Sequence, residues 1–355
     1  RGSAVPRASV ATGQIGKLWG LDDIQIGDTL GTSRTTSERH YFTPPTLETV
    51  IVPNRPADKG ALHFALSQLA EQDPLINLWQ DDTRQEIFVS LYGEVQKEVI
   101  QATLANEYGL DVAFRETTTI CIERPIGVGT AVEIIYKETN PFLATVGLRI
   151  EPAAFGTGAD FRLASEVLGT MPLAFFRAVE DTVRETLHQG IYGWQVTDCT
   201  VTMTHSGYAP RQSHAHQGFD KSMSSTGADF RNLTPLVLMN ALKQAGTRVC
   251  EPIHRFHLEI PADTFGATVS ALARLRAVPQ TQEMQGSSCT LEGEIPATRV
   301  HELQQQLPAL TRGEGVLESA FDCYQPVRGK IPTRPRTDDN PLTRKEYLLH
   351  VMRRV

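Results

Sequence analysis

The sequence lacks any apolar run approaching the roughly 18 residues needed to cross a bilayer. Nothing near its start has the charged, apolar and small-residue succession of a signal peptide. Those two lacks exclude a helical membrane protein and argue for a cytoplasmic one. Cysteine is scarce: Cys121, Cys199, Cys250, Cys289 and Cys323 are dispersed, odd in number and form no C-x-x-C pair. That pattern fits reduced thiols in a core and supplies neither a zinc ribbon nor a redox motif. A phosphate loop is also missing. Gly13-Gln14-Ile15-Gly16-Lys17 has two residues between its glycines where the Walker pattern needs four, and Leu18 stands where Mg²⁺ would require a hydroxyl. Gly-x-Ser-x-Gly is absent, and no Ser-His-Asp, Cys-His or paired-carboxylate arrangement replaces it. The chain itself is therefore expected to carry no catalytic centre, no cofactor and no metal.

A net charge of −7 excludes a protein that coats nucleic acid over its whole surface. The charge is uneven, however. Eight basic residues (Arg328, Lys330, Arg334, Arg336, Arg344, Lys345, Arg353, Arg354) face three acidic ones after Pro326, so the tail is +5 and the rest −12. A solvated end and a localised phosphate contact are both compatible with that tail.

With 355 residues and 40% hydrophobic content, the chain divides into two to four domains. It opens at Arg1 in strand-like text, as a piece with a segment upstream would. Residues 1–44 read as short strands and turns closed by Pro44-Pro45. Residues 45–118 then alternate strand and helix periodicity in the order β-α-β-β-α-β, the second helix ending at Gly109. The same order returns over 248–330. Between them, residues 119–247 hold two alternating strands, the loop Phe155-Gly156-Thr157-Gly158, a helix ending at Gly190 and a strand over 194–203. A stretch without periodicity follows, 205–227, then a helix stopping at Gly246. Loops of that length inside a compact domain are functional or unstructured. Residues 331–355 form a C-terminal extension with a helix. The expected class is α+β, multidomain: two ferredoxin-like βαββαβ domains flanking a mixed α/β domain, preceded by the end of a β-barrel.

The long stretch carries Tyr208, Arg211, His214, His216, Phe219 and Lys221 among small residues. Aromatic faces stack on unpaired bases and cations reach phosphates; a surface loop of mixed composition is the plain alternative. His214-Ala215-His216 has no carboxylate or thiol at ligand spacing, which favours solvent-exposed imidazoles over a metal site.

Three blocks resemble elongation factor G-type translational GTPases. Leu21-Asp22-Asp23-Ile24-Gln25-Ile26-Gly27-Asp28-Thr29-Leu30 is similar to the end of their second domain, Leu91-Tyr92-Gly93-Glu94-Val95-Gln96-Lys97-Glu98-Val99 to their third, and Leu307-Pro308-Ala309-Leu310-Thr311-Arg312-Gly313 to their fifth. Within that superfamily, several further blocks resemble the tetracycline-resistance ribosomal protection proteins. They are Glu123-Arg124-Pro125, Asn140-Pro141-Phe142, Gly190-Ile191-Tyr192-Gly193-Trp194-Gln195-Val196-Thr197-Asp198-Cys199, Ser225-Thr226-Gly227-Ala228-Asp229-Phe230-Arg231 and Leu291-Glu292-Gly293-Glu294-Ile295-Pro296-Ala297. The likeness runs in order along nearly the whole chain and lies nearest the self-resistance type of oxytetracycline producers.

The resemblance implies domains III, IV and V after the end of domain II, with GTP and Mg²⁺ bound in a GTPase domain upstream. It implies a monomer whose partner is the ribosome, reached at the small-subunit rRNA of the decoding region, where tetracycline is released. The alternative is the C-terminal part of an elongation factor G-type translocase. By position, three loops would gather at the tip of domain IV, and a C-terminal helix would reach the same region. The contact residues so implied are Asn140, Pro141, Phe142, Gly156, Gly158, Tyr208, Pro210, Arg211, His214, His216, Lys221, Ser222, Met223, Ser224, Arg344, Lys345, Arg353 and Arg354. The sequence departs from the family in one place: Lys221-Ser222-Met223-Ser224 stands before Ser225 where Tyr-Ser-Pro-Val is frequent, and Tyr208-Ala209-Pro210 lies upstream of an insertion. Either segment is a counterpart, with Tyr208 or Met223 as the displacing side chain.

Overall fold

A computed structural model describes residues 9, 17, 45–73, 76–81, 86–115, 117–210 and 224–352. The expected barrel end, residues 1–44, lies outside this set except for two isolated positions.

The first unit runs β1 (Leu47–Pro53), α1 (Lys59–Gln72), β2 (Leu78–Asp81), β3 (Glu86–Leu91), α2 (Glu94–Tyr108), β4 (Val112–Phe114) and β5 (Thr118–Thr119). Leu62, Ala65 and Leu66 recur at helical spacing on α1 and are buried. They pack with Ile51, Ile87, Val89, Leu91, Ile100 and Leu104 into one core. Gly109 closes α2 at φ +64°, a left-handed turn that glycine adopts without strain. The sheet order β2-β3-β1-β4 is the split βαβ arrangement expected from the sequence.

The middle unit follows with β6 (Ile122–Pro125), β7 (Gly129–Glu133), β8 (Ala144–Pro152), β9 (Ala159–Leu163), α3 (Leu173–Thr186), β10 (Gln195–Val196), β11 (Cys199–Tyr208) and α4 (Gly227–Ala245). Its four-stranded sheet has the order β7-β8-β11-β9. Ala144, Val146, Leu148 and Ile150 alternate onto one face of β8 and meet α3 and α4 there. The strand expected to stop at Met203 continues to Tyr208, because a bulge between Met203 and His205 absorbs one residue without ending the pairing with β8.

The last unit comprises β12 (Thr247–Pro261), α5 (Phe265–Arg274), β13 (Val278–Gln285), β14 (Ser288–Pro296), α6 (Ala297–Thr311) and β15 (Val316–Pro326), after which an extended segment leads to α7 (Arg344–Met352). Its strands repeat the ferredoxin-like order, β13-β14-β12 with β15 against β12. The sheet also takes in two strands from the middle of the chain. The 15-residue β12 pairs its first four residues with β6, and β6 pairs in parallel with β10. Middle and last units therefore share one hydrogen-bonded ladder. No helix among the described residues is long and apolar enough to cross a membrane.

Candidate nucleic-acid interface

Register defines the two ends of the middle unit. Ala144 lies opposite Tyr208 at one end of the β8–β11 pair, and Pro152 lies opposite Cys199 at the other. Nine residues of strand separate them, roughly 25–30 Å. The turn before β8 and the segment after β11 therefore share one end, here called the tip. The loop after β8, with Gly156 and Gly158, lies at the opposite end. The expected gathering of three loops is corrected on that point: an antiparallel pair sends the connections before β8 and after β8 to opposite ends.

At the far end the loop has a structural anchor. The Asp198 carboxylate accepts the N–H groups of Gly156 (2.9 Å) and Gly158 (3.2 Å) and pairs with Arg124 at 2.6 Å. The Arg124 guanidinium stacks 4.3 Å from the Phe155 ring, which is 81% exposed.

A different loop completes the tip. β9 runs parallel to β11 with Leu163 opposite Met203, so the chain after it arrives at the tip end. There the Thr170 and Ser206 hydroxyls are hydrogen-bonded. Leu168 is 61% exposed and followed by Gly169 in a left-handed conformation. Sequence reading missed this loop; the Leu168-Gly169-Thr170 text was its one local signal.

Several expected contact residues are committed to the fold. The Asn140 side chain is buried, donates to Ala144 O (2.9 Å) and accepts from Phe142 N (3.0 Å). Phe142 is buried in the core. The Tyr208 ring is half-buried, 5.8 Å from Phe175, which itself stacks on Phe230 at 4.6 Å. Ser224 is buried, and Ser225 ties Ala209 to Leu143 through its hydroxyl. The Arg344 guanidinium pairs with Glu133 at 2.7 Å and also donates to Thr139 O, which binds α7 to the tip turn. Pro141, Pro210 and Lys345 are exposed. Arg211, His214, His216, Lys221, Ser222, Met223, Arg353 and Arg354 lie outside the described residues.

The basic tail is likewise partly internal. Glu123, fully buried, accepts the N–H groups of Ile191, Tyr192 and Trp194 (2.7–3.1 Å) and the Thr247 hydroxyl. Burial raises its pKa, and those four donors pull it back. The turn so formed receives the C-terminal extension: Trp194 Nε1 donates to Pro332 O (2.9 Å), and Arg334 N donates to Tyr192 O (2.8 Å). At Gly193 a Cβ would sit 2.0 Å from Arg334 O, so the approach requires glycine. The Arg334 guanidinium then crosses to the first unit. It lies 3.9 Å over the Trp79 ring and 2.9 Å from the buried Glu48 carboxylate. Arg336 donates to Gln189 O and Gly190 O and pairs with Asp338. Three of the eight tail cations, Arg334, Arg336 and Arg344, thus hold the protein together.

Three family models match in chain order: elongation factor G domain III over residues 42–116, domain IV over 111–246 and the elongation factor G C-terminus over 248–335. The chain thus has the domain III, IV and V plan of an elongation factor G-like protein. A crystal structure from Thermus thermophilus shares that fold, with a TM-score of 0.57 at 22% identity over 91% of this chain and 46% of that one. The oxytetracycline resistance protein of Streptomyces rimosus is 44% identical, covering 100% of this chain and 52% of that protein. The tetracycline resistance protein TetP of Clostridium perfringens is 35% identical over 98% of the chain and 52% of its own length. For TetM of Streptomyces lividans the values are 39%, 88% and 46%. The chain belongs to the tetracycline-resistance ribosomal protection proteins and spans about half the length of these relatives.

Proposed function

We propose that the chain is the ribosome-contacting part of a factor that releases tetracycline from the small-subunit decoding region. GTP and Mg²⁺ act in a part of the protein outside this chain, and the protein works as a cytoplasmic monomer. The observation that carries this reading is likeness to resistance proteins along the entire chain, 44% in one case, combined with the meeting of several connections at one end of the middle sheet. The tip is suited to entering a crowded RNA site. Three connections converge at one end of a sheet backed by two helices, so exposed side chains stand on a packed support. The translocase alternative predicts movement of tRNA and mRNA rather than drug release.

Adding the complete protein to tetracycline-stalled ribosomes, with and without GTP, tests the reading. Translation should resume with GTP, and bound tetracycline should be lost. The 355-residue chain alone should hydrolyse no GTP. Restored tRNA–mRNA movement on drug-free ribosomes lacking elongation factor G would instead favour the translocase.

A further inference from the structure

We infer that Tyr136 is the side chain with which this tip stacks on an unpaired base of small-subunit rRNA, with Lys137 beside it for a phosphate; this rests on the ribosomal reading above. Tyr136 occupies the third position of the turn 134–137, which Lys137 N closes to Ile134 O at 3.3 Å. Its φ is +64°, a conformation that such a turn normally assigns to glycine or asparagine. Four non-glycine residues have positive φ among those described, and the other three have local reasons. Arg312 caps α6, Arg276 is the residue after the Leu275 cap of α5, and Asp198 is held by its carboxylate contacts. Tyr136 has no such reason. The residue is 74% exposed, and neither ring nor hydroxyl has a partner among the described residues.

The turn cannot relax around it. Ile135 N is bound to Thr145 Oγ1 (2.9 Å) and Asn140 N to Lys137 O (2.8 Å), and Arg344 clasps Thr139 O. A strained aromatic on a pinned turn is a presented group, and strain persists where surrounding contacts over-determine it. The other described aromatics of this end (Phe142, Phe175, Tyr208, Phe230) are packed against the core, so none of them offers a free face. RNA is the partner the chemistry favours. An aromatic face accepts any base, the phenol reaches a 2′-hydroxyl, and the exposed ammonium of Lys137 is next in sequence. In a chain of net charge −7, an RNA contact has to be local in this way.

The test uses the complete protein, drug-loaded ribosomes and three variants. Tyr136→Gly accepts the left-handed backbone, so its melting temperature should equal or exceed that of wild type. Its tetracycline release should nonetheless weaken by roughly 5- to 150-fold, the span that one base-stacking contact accounts for. Tyr136→Trp should release drug like wild type, and so should Phe155→Ala, a still more exposed aromatic at the opposite end. Chemical probing of the small-subunit rRNA should show one or two protected bases that become reactive with Tyr136→Gly. If wild type leaves tetracycline bound, the ribosomal reading fails and takes this inference with it. If wild type releases the drug and Tyr136→Gly does so at the same concentration, the inference alone fails. A lower melting temperature for Tyr136→Gly would show the ring to be structural, and weakened release with an unchanged rRNA footprint would point to a protein partner; either result overturns the inference.

Discussion

Replacing Arg334 with alanine should loosen the first unit from the rest of the chain. Arg334 and Glu48 are 21% and 4% exposed at their side chains, so their 2.9 Å pair is shielded from solvent. Removal leaves a buried carboxylate whose remaining side-chain donor among the described residues is Trp79 Nε1 at 3.3 Å. Breaking a buried pair from one side typically costs about 3–5 kcal/mol, and the lost cation–π contact with Trp79 overlaps with part of that figure. For a unit of this size the first thermal transition should fall by about 10 °C or more at pH 7.5. The pH dependence is the sharper test. Burial already raises the Glu48 pKa above the usual carboxylate value, with Arg334 and Trp79 opposing. A carboxyl whose folded pKa is raised favours the folded state increasingly as pH falls, because the neutral form is the one burial prefers. Without Arg334 that pKa rises further, so the deficit of Arg334→Ala should shrink between pH 7.5 and pH 5. Adding Glu48→Gln should recover part of it at pH 7.5. Thermal unfolding followed by tryptophan fluorescence reads this, since Trp79 lies in the contact. A variant that melts like wild type, or an equal deficit at both pH values, would refute the reasoning.

Two further outcomes follow from the structure. Replacing residues 211–223 by a short Gly-Ser linker should leave the melting temperature within about 2 °C of wild type, because Ala209 and Ser225 already bind each other through Ala209 N–Ser225 Oγ (2.7 Å) and Ser225 N–Ala209 O (3.0 Å). If that loop displaces the drug, release from ribosomes is abolished; full release would place the displacing group on the described part of the tip. His254 is buried with Nε2 3.2 Å from Thr46 Oγ1 and with Nδ1 unpartnered among the described residues. Desolvation lowers its pKa, so its stabilising contribution is present above about pH 6.5 and is lost as pH falls below it. Between pH 7.5 and 5.5 the melting temperature of wild type should therefore fall more than that of His254→Asn; parallel curves would assign the acid sensitivity elsewhere.

The two βαββαβ units were legible in the sequence because both depend on local signals. Leu62, Ala65 and Leu66 repeat at helical spacing, Gly109 stops a helix, and strand alternation matches the pleat. The family was legible as well, since its motifs are short contiguous blocks such as Gly190 to Cys199. The site was only partly so. Asn140, Phe142 and Tyr208 have the composition of contact residues, but their side chains turn inward because a core and an unpaired backbone group lay within reach. Tyr136 was hidden because the first of the two alternating strands, expected over 131–136, ends at Glu133 with its pairing to β8, which leaves Tyr136 in the turn beyond.

What the sequence determined by itself was the order of elements, the absence of a phosphate loop and the likeness of the chain to ribosomal protection proteins. What tertiary structure alone decided was which residues meet. The β8–β11 register sends Gly156 and Gly158 away from the tip and brings in the loop around Leu168. The extension binds units far apart in sequence, Arg334 reaching Glu48 across 286 positions. Neither outcome has a local signature, because register and long-range ion pairs are fixed by burial of whole faces at once, whereas sequence patterns record only the period of each face.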